Sequence, residues 1–208
     1  MRWNGDLMDK RQRGILVAMA IGDGHIRPIN KGTSATLTIT HGMNQKKYAE
    51  YKATLLREIF DSDIPQVKVK KNGGHYFGCL IEKSAKYFRI LRKWLYSNGI
   101  KRPSRLLRFI NEEGLAIWYM DDGSLSYKKR GGKIHGRDLT LNTYLSKEEN
   151  EKISKILENR WGFKLVPVRS KGSWRLRCGS HEAKKIFNII RPFIIESMSY
   201  KIDMKYGG

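Results

Sequence analysis

Two apolar runs constrain what this chain can fold into: Gly14-Ile15-Leu16-Val17-Ala18-Met19-Ala20-Ile21-Gly22-Asp23-Gly24 and Gly114-Leu115-Ala116-Ile117-Trp118-Tyr119-Met120-Asp121-Asp122-Gly123. Each is short, almost wholly apolar, and ends in an acidic residue followed by glycine. A helix of this composition has no polar side to offer water, so it is buried all round. Its acidic end is then pinned within the folded body. A buried carboxylate is tolerated when a hydrogen-bond donor, a basic group or a metal ion meets it.

The two runs are copies of one unit. Asp23 and Asp122 stand 99 residues apart, and further self-similarity recurs near that spacing. Leu37-Thr38-Ile39-Thr40 matches Leu139-Thr140-Leu141-Asn142 at 102, Cys79 matches Cys178 at 99, and Ala85 matches Ala183 at 98. Loop insertions account for the drift. The chain therefore divides into two similar halves, residues 1–100 and 112–208, joined by a linker over 101–111.

Leu16 to Gly24 and Leu115 to Gly123 resemble the two nine-residue signatures of the LAGLIDADG homing endonucleases, in the single-chain branch that carries both copies. Ile21 and Met120 replace the signature's first, variable acid, and Ile117 replaces its glycine. The last acid, which the family uses to hold metal, is kept in both copies. The resemblance implies an α+β fold: two pseudo-symmetric αββαββα repeats, with antiparallel saddle-shaped sheets packed through two central signature helices.

Charge points the same way. Forty-one Lys and Arg against twenty Asp and Glu give a net charge of +21, an excess that draws polyanions, nucleic acid first among them. A hydrophobic content of 40% and five Trp indicate a folded body rather than a charged tail. No stretch approaches the roughly eighteen apolar residues of a membrane span. The run after Arg11-Gln12-Arg13 lacks a cleavage site for secretion. The two cysteines fall at matching positions of apolar strands and read as free thiols. A reducing interior is expected, cytoplasm or organellar matrix.

In chain order, a polar lead-in precedes a helix from about Lys10 to Gly22, whose Gly14, Ala18 and Gly22 leave one face bare for close helix approach. Trp118 and Tyr119 either fill that face or turn toward their own half's sheet. Thr33 to His41 alternates as a strand with one polar face. Asn44 is positioned to cap a helix bearing Tyr48, Tyr51, Leu55 and Ile59. Val67 to Ile81 reads as a hairpin turning at Gly73-Gly74. Ser84 is expected to start a helix that Gly99 ends. The second half repeats the order, with Ser146 capping a helix and Pro192 stopping the last one before a tail to Lys205.

Antiparallel sheets accept water on one face, and here that face carries Thr, Lys and Arg. Two such sheets make a basic trough whose side chains reach base edges in a DNA groove. The residues expected on it are Thr36, Thr38, Thr40, Lys68, Lys70, Arg137, Arg169, Arg175 and Arg177. Lys128, Lys129 and Arg130 are expected as a loop on phosphates. Because the halves share a plan but not their strand residues, the double-stranded target should be long and asymmetric.

Packed side by side, the signature helices bring Asp23 and Asp122 together where free carbonyls already concentrate negative potential. Hard divalent cations relieve this, Mg²⁺ above all, with Mn²⁺ as substitute and Ca²⁺ expected to bind without supporting cleavage. The carbonyls of Gly22 and Asp121 are further ligand candidates. The chemistry expected is phosphodiester hydrolysis, the cation acidifying water and neutralising phosphate charge. The resemblance implies that each Asp serves one strand and that the product ends carry short 3′ overhangs. Lys101 and Lys201, 100 apart, match the family's paired lysines by position. A basic residue falls at the second position by chance about one time in five, given this composition. Asn142 is a candidate for orienting water.

Five scattered histidines show no two-His spacing and zinc-type cysteine pairs are absent. The ends lack splicing nucleophiles, so the sequence reads as free-standing; a monomer is expected. Two alternatives stay open on sequence: a maturase of the same family that binds intron RNA, and a DNA-binding relic that no longer cuts.

Overall fold

The computed structural model describes residues 8–72, 75–170 and 172–204. The expected lead-in before residue 8, the Gly73-Gly74 turn and the tail at Lys205 lie outside the described residues. The first half runs α1 (Lys10–Ile21), β1 (His25–Ile29), β2 (Ser34–Gly42), α2 (Lys46–Phe60), β3 (Lys68–Asn72), β4 (His75–Ala85) and α3 (Lys86–Leu95). A short ribbon of β5 (Tyr96–Ser97) and β6 (Ile100–Lys101) leads across. The second half runs α4 (Glu112–Asp122), β7 (Gly123–Arg130), β8 (Lys133–Leu145), α5 (Lys147–Trp161), β9 (Val166–Ser170), β10 (Ser173–Gly179) and α6 (Ser180–Ile190). Each half is α-β-β-α-β-β-α, and each folds its four long strands into one antiparallel sheet, ordered β1-β2-β4-β3 and β7-β8-β10-β9.

The signature helices form the seam. All residues of α1 from Gly14 to Ile21 are buried, as are those of α4 from Glu113 to Met120. Asp9 caps α1 by accepting from the Gln12 backbone N–H (2.7 Å), and the Gln12 side chain accepts from the Asp9 N–H (3.1 Å), a reciprocal capping box. Asn111 caps α4 by accepting from the Gly114 N–H. Arg11 and Glu113 join the two helices at their N-terminal ends through a two-pronged ion pair of 2.6 and 2.7 Å.

The bare face of α1 meets α4 closely at Gly114. A Cβ on Gly114 would lie 2.8 Å from the Gly14 carbonyl oxygen, and one on Gly14 would lie 2.5 Å from Asn111 Oδ1. Glycine at both positions is what lets the backbones touch. The two aromatics of α4 serve their own half instead. Tyr119 packs edge-on against Phe187 and donates to the Lys201 carbonyl (2.7 Å), while Trp118 turns along its helix to Asp122.

Some local expectations are corrected. Asn44 does not cap α2; it lies in a 3₁₀ turn, and the helix starts after Gln45 without a side-chain cap. Ser84 stays in β4, bonded to Thr36 (2.8 Å), and α3 begins after Ala85. Gly99, at φ +76°, turns the β5–β6 ribbon rather than ending α3, which stops where Tyr96 becomes extended. Ser146 caps α5 as expected, accepting from the Glu149 N–H.

Candidate active site and nucleic-acid face

Both signatures end in Asp-Gly for a steric reason. After each acid the chain folds back over the helix end to enter a strand. A Cβ on Gly24 would sit 2.3 Å from the Met19 carbonyl oxygen, and one on Gly123 would sit 2.2 Å from the Tyr119 ring. Only glycine makes this reversal, and it leaves Asp23 and Asp122 at the paired C-terminal ends of α1 and α4.

These helix ends concentrate negative potential, and two half-buried lysines answer it. Lys101 donates to the carbonyls of Gly22 and Gly24, both at 2.7 Å. Lys201 donates to those of Met120 (2.5 Å) and Asp121 (3.3 Å). The lysines thus occupy matching places in the two halves. Burial pulls both ammonium groups down, while the surrounding acids pull them back up. The carbonyls of Gly22 and Asp121, expected as metal ligands, are lysine acceptors here.

The two acids differ in their surroundings. Asp122 Oδ2 accepts from the Trp118 indole N–H (2.9 Å), and the Asp122 carbonyl accepts from the Asn142 amide (2.8 Å). Asp23 instead has its side chain 3.5 Å from His41 Nδ1, and its own N–H donates to Asp121 Oδ2 (3.1 Å). Burial, and after it the charge of Asp121, raises Asp23 to about 6 and Asp122 to about 7.

Asp121 was legible only as a backbone ligand, yet its side chain is the centre of a buried network. It is fully buried against an equally buried Lys52, with Nζ 2.5 Å from Oδ1, and Tyr48 donates to the same oxygen (2.8 Å). Lys52 Nζ also lies 4.6 Å from the centre of the Tyr48 ring. His41 packs on that ring, bonds Gln45 through Nδ1 (3.2 Å), and is pushed to about 4 by burial and then by Lys52, which keeps it neutral. Ligand atoms of Asp23, His41 and Asp121 lie within 4.8 Å of one another. The Lys52 ammonium already supplies the cation that Asp121 needs. The sequence held a signal for this network. Lys52 follows Tyr48 by one helical turn on the apolar face of α2, and an acid at 121 inside a buried helix demands a buried partner.

Directly paired residues of adjacent strands share a face. On the first sheet the face away from the helices carries Thr36, Thr38 and Thr40 with Lys68, because Thr36 pairs with Arg27 and Ser84, Thr38 with His25 and Glu82, and Leu80 with both Thr40 and Lys68. Lys70, two residues from Lys68 and paired with Gly78, lies on it too. His25 and Arg27 belong to this face and were not anticipated. Thr40 is exposed there, whereas Thr36 is only 4% exposed and bonded to Ser84, so it has no free reach. Arg27 and Lys68 both approach Glu82 at 3.7 Å.

On the second sheet Ser124, Thr140 and Arg177 form one row, and Arg175 shares their face. Arg177 and Lys128 converge on Asp138. Arg137 and Arg169 are corrections. Arg137 pairs with Tyr127 and lies over its ring at 5.4 Å, and Arg169 pairs with Trp174, which puts both on the opposite face. Lys128, Lys129 and Arg130 are exposed strand residues of β7, not a loop, and the pairing with β8 is irregular between Lys128 and Lys129.

The model of the LAGLIDADG DNA endonuclease family matches residues 13–186. The chain is 34% identical over 129 residues to "Probable intron-encoded DNA endonuclease 3" of Mycosarcoma maydis, covering 59% of this chain and 90% of that protein. Over 204 residues it is 26% identical to "Probable intron-encoded endonuclease 1" of Wickerhamomyces canadensis, covering 94% and 85%. It is 24% identical to RecA of Mycolicibacterium fallax over 97% of this chain, which spans about half (48%) of that longer protein. Among solved structures it is similar to the homing endonuclease I-WcaI bound to its DNA recognition sequence, with a TM-score of 0.76 at 24% identity, covering 93% of this chain and 86% of that one. It is also similar to the meganuclease I-SmaMI bound to uncleaveable DNA, with a TM-score of 0.53 at 14% identity, covering 90% and 86%. Both likenesses concern the shared two-repeat fold.

Proposed function

The chain belongs to the LAGLIDADG DNA endonuclease family, and from that premise we propose that it is a site-specific homing endonuclease. It makes a divalent-metal-dependent double-strand break in a long asymmetric DNA site and serves the mobility of an intron. The observation that carries this reading is the placing of Asp23 and Asp122 at adjoining helix ends, each with a half-buried lysine on the carbonyls beside it.

The residues fit a hard cation such as Mg²⁺. Asp23 and Asp122 are hard oxygen ligands beside Asp121, and burial, followed by the Asp121 charge, raises both carboxyls. These two side chains would hold it, and Gly22 and Asp121 would join only by sharing their carbonyls with lysine. When bound, the cation supplies Lewis-acid stabilisation of phosphate charge and acidifies water.

The chain's own groups do the rest. Lys101 and Lys201 present ammonium groups beside the acids, where charge on a scissile phosphate develops. Asn142 ties β8 to the end of α4 through the Asp122 carbonyl and stands beside Ser124, a position from which it orients water. The Thr, Lys and Arg side chains of the two sheet faces bind the duplex. One chain supplies both halves, so a monomer suffices.

The test is incubation with a randomised duplex library, first with Mg²⁺ or Mn²⁺ and then with Ca²⁺. Cutting with the former and binding alone with Ca²⁺ is the expected result. Asp23→Asn and Asp122→Asn should each abolish the double-strand break and keep binding. Tight binding of intron RNA without affinity for any duplex would overturn the reading in favour of a maturase.

A further inference from the structure

The two halves meet across the seam in unequal ways. α2 and α5 are matching helices of 15 residues whose preceding cap residues, Gln45 and Ser146, stand 101 apart. In that register Lys52 of α2 corresponds to Ile153 of α5, and Tyr48 corresponds to Glu149. In the signatures, Asp121 corresponds to Gly22. One diagonal of the pseudo-twofold therefore carries a buried lysine on a buried acid. The other offers isoleucine and glycine, which can form no such pair.

The charged diagonal is attached to one acid. Asp121 belongs to the second half, yet its Oδ1 takes Lys52 and Tyr48 from the first half, and its Oδ2 accepts the backbone N–H of Asp23. Gly22 makes room for this, since a Cβ there would lie 2.2 Å from Asp121 Oδ2. The Asp121 carboxylate is thus gripped on one oxygen and grips the Asp23 backbone with the other. Asp122 has no counterpart of this arrangement. It is held within its own helix by Trp118, at whose place the first signature has Met19, a residue without a donor.

We propose that the buried Lys52–Asp121 pair, with Tyr48, is a positioning device for Asp23 alone, so that the two DNA strands meet half-sites held by different means. This rests on the reading that Asp23 and Asp122 each serve one strand. The side chains of Lys52, Tyr48 and Asp121 are buried. They act through the Asp23 backbone. Loosening them slows one strand and leaves the other near its normal rate.

The experiment follows each strand separately on a duplex labelled at both 5′ ends, using the full chain. Lys52→Met/Asp121→Asn removes both charges together, so neither is stranded in the core. Its expected effect is a slowing of about tenfold or more on one strand with less than about threefold on the other, so that nicked duplex accumulates. Tyr48→Phe, which keeps the ring and deletes the hydroxyl's contacts with Asp121 Oδ1 and the Ile117 carbonyl, should give the same bias in weaker form if the double variant fails to fold. Lys52→Arg should restore near-equal rates. Equal slowing of both strands, or no slowing in a folded variant, overturns the proposal.

A second readout stands apart from cleavage. In metal-free protein labelled with ¹⁵N-aspartate, the Asp23 amide resonance should move in Tyr48→Phe, while that of Asp122, whose sequence neighbours this variant leaves unchanged, stays. If the wild type cuts neither strand, the endonuclease reading fails, and the amide shifts still decide the positioning role. An unmoved Asp23 amide rejects it.

Discussion

Trp118 donates its indole N–H to Asp122 across 2.9 Å, one helical turn along α4, whereas the matching first-signature residue, Met19, has nothing to donate. This bond opposes the effects of burial and of the neighbouring acids, holding Asp122 below where they alone would put it. A hydrogen bond to a charged group contributes about 1.5–3 kcal/mol. Trp118→Phe should therefore raise the Asp122 carboxyl further and shift the acid limb of the cleavage profile to higher pH. Comparing pH–rate profiles of wild type and variant checks this, and coincident profiles would remove Trp118 from the control of Asp122.

The acids also set a pH dependence of stability. Asp23 is raised to about 6 and Asp122 to about 7 from an ordinary value of 3.8, first by burial and then by Asp121. A raised carboxyl holds its proton more firmly in the folded state. Its contribution is complete below 3.8 and is lost as pH climbs through the folded values. The metal-free wild type should thus lose melting temperature relative to Asp23→Asn/Asp122→Asn as pH rises from about 4 to about 7. Mg²⁺ should reverse this loss in the wild type and not in the variant, because binding to the folded state alone stabilises it. Parallel melting curves for the two proteins at every pH would contradict the arrangement.

Lys101 and Lys201 each sit on carbonyls at a signature helix end. Replacing either by Met keeps the hydrocarbon and removes the charge. If the ammonium groups answer charge that develops on the phosphate, cleavage should fall by about 10²-fold or more. Affinity for the target in Ca²⁺ should change little. Binding measured by filter retention beside single-turnover cleavage separates the two. Parallel loss of both would make the lysines anchors for ground-state DNA instead.

Much of the architecture was legible because it is repeated. The signatures, the strand pattern around Leu37 and Leu139, and the spacing of Lys101 and Lys201 appear twice, and each copy corroborates the other. The unrepeated features escaped. Lys52 stands opposite isoleucine in the other half, so no second copy drew attention to it, and its partner Asp121 is far away in sequence. His41 sat within an alternating strand as one more inward position. Strand faces were harder still. Arg137 looked like its polar neighbours, but alternation from Leu139 and Leu141 puts it on their side, with its chain over Tyr127. Thr36 fell on the right face yet is closed off by Ser84. Composition marks a strand as basic, while register decides which basic residues are available to a ligand.

That distinction yields a paired expectation for DNA binding. Arg175 and Arg177 share the face of Thr140, whereas Arg169 and Arg137 lie on the reverse. An arginine reading a base edge is worth about 1–3 kcal/mol of discrimination. A phosphate contact adds affinity that weakens with salt. Arg175→Ala and Arg177→Ala should each weaken target binding by about tenfold or more, and relax preference at one or two neighbouring base pairs if the contact is to a base. The Arg177 substitution also leaves Asp138 with Lys128 as its remaining partner, so its salt dependence should change as well. Arg169→Ala and Arg137→Ala should leave affinity and preference within about twofold, with Arg137→Ala instead lowering stability by removing its packing on Tyr127. Selection from a randomised duplex pool in Ca²⁺, repeated at two salt concentrations, reads all four. Loss of affinity in the Arg169 and Arg137 variants with none in the Arg175 and Arg177 variants would place the duplex on the other side of this sheet.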